Sequence, residues 1–158
     1  MRLHQLSLLG LVLFTAGSVV AASPRVKLGN EVLAAQQFKA LAGKRVGLIT
    51  NPSGVNANLE STIDVLREAP GVKLVALYGP EHGVYGDVWA GDKIESATDP
   101  RTGLPVHSLY GKTHKPTPEM LKGIDVLVYD LQDTGCRSYT FISTMGVAME
   151  ACGAAGVE

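Results

Sequence analysis

The sequence predicts an α/β fold, a mostly parallel sheet covered by helices on both faces. Two observations carry that expectation. Three short runs, "KRVGLIT" (44–50), "GVKLVALYG" (71–79) and "IDVLVYDLQ" (124–132), are nearly continuous in apolar residues and rich in branched ones. That is the pattern of strands buried on both faces. Segments of helical character separate them, and strands alternating with helices build parallel sheets.

In chain order, residues 31–42, "EVLAAQQFKALA", are good helix formers with Ala34, Phe38 and Leu41 on one face, and Gly43 is a plausible stop. The first strand follows at 44–50. "NPSGVNAN" (51–58) reads as a loop from its Asn, Pro, Ser and Gly content. Leu59, Ile63 and Leu66 share a helical face across 59–69, and the second strand is 71–79. Residues 79 to about 105 form a long Gly/Asp-rich segment without a period, and a loop of that length in a compact domain is usually either functional or wrongly assigned. "LPVHSLYG" reads as another strand, Pro116–Lys122 as a short helix capped by Thr117, 124–132 as a strand, "DTGCRS" as a loop and 139–153 as a helix. Val157-Glu158 reads as the first step of a further strand.

Composition narrows the class. The 158 residues suit one domain, and 46% hydrophobic with 18% charged is too apolar for disorder. A net charge of −1 carries too little positive charge for a nucleic-acid partner. Met1-Arg2, the apolar run "LSLLGLVLFTAGSVVAA" and the small residues Val20, Ala21 and Ala22 form the three-part pattern of a secretory signal peptide. The expected division is therefore a signal peptide at 1–22 and the folded domain at 23–158, secreted or periplasmic, with no membrane association after cleavage. Loss of Arg2 from the 14 basic residues leaves 13 against 15 acidic ones, net −2. In an oxidising compartment Cys136 and Cys152 can be a disulfide or two free thiols, and the sequence leaves both open.

In parallel sheets, sites form beyond the carboxyl ends of the strands. That rule selects Asn51–Gly54, Gly79–Gly86 and Asp130–Tyr139. Glu81 and His82 stand side by side in "LYGPEHGVYG", where the glycines leave room for a ligand. Partial burial would raise the Glu81 pKa and suit it to general-acid work; a turn whose acid caps a backbone N–H is the competing reading. Asp130, Gln132 and Asp133 crowd the end of a strand, Asp133 can pair with Arg137, and Tyr139 and Thr140 add hydroxyls. Such a density of hydrogen-bonding groups suits a polyhydroxylated ligand, whereas helix capping by Asp130 and Asp133 is the plainer alternative. Asn51 and Ser53 fit a turn or a ligand contact. No H-E-x-x-H, P-loop, G-x-G-x-x-G after a strand or G-x-S-x-G occurs, which removes zincins, P-loop NTPases, dinucleotide enzymes and α/β-hydrolases. A hard cation on Asp130, Asp133 and Glu81 is the weaker use of those carboxylates, and no metal or other cofactor is expected.

"GLITNPSGV", "LYGPEHGVYGD", "TGLPVHSLYG", "PTPEMLKGIDVLVYDLQDTGCRSYT" and "STM", in that order, resemble the NamZ-type exo-β-N-acetylmuramidases. The resemblance runs from about Leu28 to the end of the chain. It implies a Rossmann-like amino-terminal domain, a smaller carboxyl-terminal domain absent from this chain, and a site in the cleft between them. It implies exo-hydrolysis of terminal β-linked N-acetylmuramic acid from peptidoglycan fragments, with a peptidoglycan-derived saccharide as partner. Glu81 falls on the glutamate of "GPEHG", the position expected to be catalytic, with His82 beside it. Asn51, Ser53, Asp130, Gln132, Asp133, Arg137 and Tyr139 become expected substrate contacts, Arg137 as the cation for the lactyl carboxylate. A non-catalytic sugar-binding module and a metal-dependent hydrolase are the alternatives.

Overall fold

The structure, a computed structural model, describes residues 26–158. The expected signal peptide lies outside them. The elements are α1 (Gly29–Ala35), β1 (Arg45–Thr50), α2 (Thr62–Glu68), β2 (Lys73–Gly79), β3 (Ala97–Thr98), β4 (Pro105–Ser108), β5 (Val126–Asp130) and α3 (Phe141–Ala155). They build one five-stranded sheet in the order β3-β4-β2-β1-β5. All pairs are parallel except β3 with β4. Among the parallel strands, the third, second, first and fourth in sequence lie side by side. The order therefore reverses between β1 and β5, a topological switch point of the kind that hosts ligands.

Side chains alternate across β1 and β2. Val46, Leu48 and Leu77 join Phe38, Leu41, Ile63 and Leu66 on one face. Ile49, Ala76 and Tyr78 join Leu121, Ile124, Ala148 and Ala151 on the other. Helices thus cover both faces, α1 and α2 on one side and α3 on the other. Each buried large side chain contributes roughly 1.5–3 kcal/mol relative to exposure. A surface ion pair such as Arg45–Asp125 is screened by solvent and adds little, so the two apolar layers hold the sheet. Gly47 lets the middle of the second layer close: a Cβ there would lie 2.8 Å from the Tyr78 ring and 2.9 Å from Leu127.

Four expectations need correction. The 31–42 helix ends at Ala35, because Gln37 and Phe38 take left-handed φ of 56° and 52° and redirect the chain into a 3-10 turn at Lys39–Leu41. The next helix starts at Thr62 rather than 59, where Ser61 Oγ accepts from Ile63 N as its N-cap. Asn56 instead folds residues 56–60 into a turn by accepting from Asn58 N and Glu60 N. Pro116–Lys122 is a series of turns, begun by Thr117 Oγ1 accepting from Met120 N and stopped at Gly123 with φ +82°. The long 79–105 segment contains β3, too short to show a period of two. Val157-Glu158 does run as expected: Glu158 N donates to Asp125 O and Leu127 N to Glu158 O, a parallel step on the edge of β5. Cys136 is exposed, Cys152 is buried in α3, and both are free thiols. Among the described residues no helix is long and apolar enough to cross a membrane.

Candidate active site

Glu81 follows the buried Pro80 at the end of β2 and is itself half-buried. Its Oε2 accepts from Thr140 Oγ1 at 2.6 Å and its Oε1 from Gly91 N at 3.2 Å. The phenol of Tyr110, two residues past β4, hydrogen-bonds it as well. Three strand-end loops therefore meet on one carboxylate. Burial pushes that carboxyl up, but the donors Thr140, Tyr110 and Gly91 and the electrostatic pull of His82 outweigh it and hold it below the ordinary range. This corrects the sequence expectation of a raised pKa, because the donors stabilise the charged form and come from residues distant in sequence. The Tyr110 phenol is raised in return, first by its bond to Glu81, and so stays a donor.

His82 takes φ +70° in the turn that Gly83 N closes onto Pro80 O. A side chain in that region costs on the order of 1 kcal/mol, and such strain collects at functional sites. The ring is fixed by Nδ1 against Val88 O at 3.0 Å. A carbonyl only accepts, so Nδ1 carries the proton and Nε2 is left to accept or pass one. Trp89, the sequence's single tryptophan, is 84% exposed. It opens the turn, closed by Asp92 N on Trp89 O, that delivers the Gly91 amide to Glu81.

The switch-point side is built differently. Asn51 Oδ1 accepts from Ser53 N at 2.9 Å and Ser53 Oγ at 2.6 Å, and Ser53 Oγ accepts from Gln132 N at 2.9 Å. Thr62 Oγ1 donates to Asp130 Oδ2 at 2.5 Å and accepts from the buried Asn30. Thr50 Oγ1 donates to Asp130 O, and a Cβ on Gly54 would lie 2.2 Å from that hydroxyl. Asn51, Ser53 and Asp130 thus join the β1 and β5 ends to α2. Gln132 Nε2 donates to Asp133 O, and Asp133 Oδ1 accepts from Gly135 N.

The expected Asp133–Arg137 pair is not formed. Asp133 turns back on its own loop, with Oδ2 buried and unpartnered. Arg137 is exposed, and no bond or ion pair among the described residues engages it. Tyr139, 44% exposed, packs edge-on against Phe141. Glu81, Asp130 and Asp133 do not converge: among the described residues no group of three or more His, Cys, Asp or Glu is placed to hold a metal. Tyr110 was missed in the sequence, although it stands beyond a strand end as Glu81 does; Gly91 carried no signal, since it acts through its backbone amide.

Sheet order and strand-end carboxylate define an α/β domain with a polar site at the carboxyl edge of a parallel sheet. Residues 46–158 match the family described as Exo-beta-N-acetylmuramidase NamZ, N-terminal, and the chain belongs to that family. It is 52% identical over 162 residues to the peptidoglycan beta-N-acetylmuramidase NamZ of Bacillus subtilis (strain 168), covering 95% of this chain and 39% of that protein. Two crystal structures of DUF1343 family proteins from Bacteroides fragilis NCTC 9343 share the fold. One has 68% identity and a TM-score of 0.77, over 85% of this chain and 34% of that one. The other has 32% identity and a TM-score of 0.66, over 85% and 33%. The chain thus spans about two-fifths or less of the length of these relatives.

Proposed function

We propose that the protein serves in exo-hydrolysis of terminal β-linked N-acetylmuramic acid from peptidoglycan fragments, with Glu81 as the acting carboxylate. The observation that carries this is the Glu81 site itself: a half-exposed carboxylate, kept charged by donors from three strand-end loops, in a family of muramidases. In that state Glu81 suits the anionic member of a glycosidase pair, stabilising oxocarbenium character or attacking as base or nucleophile. His82 Nε2, left without a proton by the Nδ1–H bond to Val88 O, is the neighbouring group able to accept one. Trp89 offers a ring face to a sugar, and Arg137 offers its unengaged guanidinium to the lactyl carboxylate.

The test is release of N-acetylmuramic acid from a chromogenic β-muramide by the intact protein. Glu81→Gln is expected to lower kcat by at least about 100-fold with the circular dichroism spectrum unchanged. Near-normal turnover would reject the assignment, and saturable binding of muropeptides without turnover in the parent protein would mark a sugar-binding module instead. Export is part of the same reading. Residues 1–22 act as a signal peptide, so the mature protein is secreted or periplasmic and begins at Ser23, which amino-terminal sequencing checks.

A further inference from the structure

A cavity of about 230 Å³ lies beside Glu81, lined by Tyr110, His114, Thr140, Ser143, Thr144 and Val147. Thr140, Ser143, Thr144 and Val147 are spaced i, i+3, i+4, i+7, one stripe along the start of α3. The buried stripe of the same helix, including Ala148, Ala151 and Cys152, packs on the sheet. Tyr110 and His114, edge to face at 5.1 Å, form the opposite wall. Two of the lining hydroxyls, Tyr110 and Thr140, are the ones that hold Glu81. Whatever fills the cavity therefore touches the residues that hold the acting carboxylate in place.

The lining states what fits. Val147 and the two aromatic rings supply apolar surface; the Tyr110 and Thr140 hydroxyls donate to Glu81 and Thr144 Oγ1 donates to Thr140 O, so these three offer lone pairs to a ligand, and Ser143 keeps its donor as well. No Lys or Arg lines the cavity, and the Glu81 charge stands next to it, so an anion is repelled. The volume is below the ~300 Å³ at which drug-sized ligand sites begin. A small neutral group with a methyl and an amide meets each condition.

We propose that this cavity is the subsite for the 2-acetamido group of the terminal sugar and turns the lactyl carboxylate away from Glu81. The inference rests on the muramidase reading above. Two chromogenic β-muramides that differ only in the N-acyl group, acetyl against propionyl, test it in the intact protein. One methylene in a fitted apolar pocket discriminates by about 10–200-fold, so the parent protein is expected to prefer acetyl by at least about 10-fold in kcat/KM. Val147→Ala enlarges the wall and is expected to bring the two substrates within about 3-fold, a change of ratio that loss of folded protein does not produce. Ser143→Leu, at an exposed position, narrows the mouth and is expected to widen the preference for acetyl. An acyl ratio that neither variant moves overturns the subsite. Hydrolysis of neither substrate by the parent protein overturns the muramidase reading and the subsite with it.

Discussion

Asp130 and Glu81 end two parallel strands of one sheet and meet opposite fates. Asp130 is joined to Thr62, itself bonded to the buried Asn30, and its backbone carries Thr50. Those bonds tie α2 to the sheet. Glu81 is joined to Thr140, Tyr110 and Gly91, and two of those partners line an open cavity. The strand-end rule selects both positions. What separates them is the partner: a buried hydroxyl that needs its acceptor makes a structural joint, whereas donors on a cavity wall hold a carboxylate charged and within reach.

The largest expected effect on stability tests that contrast directly. Asp130→Ala leaves the Thr62 hydroxyl, 2% exposed, without its acceptor, a loss of about 1–3 kcal/mol in chemical denaturation. Glu81→Ala should change the same midpoint far less. Equal losses would erase the distinction between joint and site.

An intermediate effect is in pH. Thr140→Val removes one donor that lowers the Glu81 pKa, and no helix cap is lost because Thr140 makes no side-chain capping bond in α3. The Glu81 pKa then rises, and activity that needs the carboxylate loses its acid limb at higher pH, read from the pH profile of kcat/KM. The sign for stability follows. A depressed folded pKa contributes stability above the unfolded value that is lost as pH falls through the folded one. Thr140→Val should therefore remove part of the acid-side loss seen in the parent protein. An acid limb that stays in place or moves down would sink the anionic role.

The smallest effect belongs to Arg137. Unengaged and exposed, it should cost less than about 0.5 kcal/mol on replacement by Ala. KM for muramides should rise while that for the matching glucosaminides, which lack the lactyl carboxylate, stays level. Equal shifts for both substrates would remove the guanidinium from lactyl recognition.

Much of the fold was legible because its signals are local. Apolar runs of five to seven residues mark β1, β2 and β5, and glycine and proline mark the loops between them. The misses are also physical. A two-residue strand has no period, and Pro118 and Gly123 crowd a helical pattern into turns. Two left-handed residues, Gln37 and Phe38, break a segment of good helix formers.

The sequence alone determined the α/β class, the three strand-end loops and the placement of Glu81 in one of them, because alternation, run length and turn residues act over a few positions. Only the tertiary structure decided which polar residues are joints and which are free. Thr140 reaches Glu81 across 59 residues and Thr62 reaches Asp130 across 68. Those meetings follow from a strand order that reverses at β1, set by how the two apolar layers pack and not by any short stretch of chain. The first of those meetings, with the bonds from Tyr110 and Gly91, holds Glu81 charged, where its place in the sequence had pointed to a protonated acid.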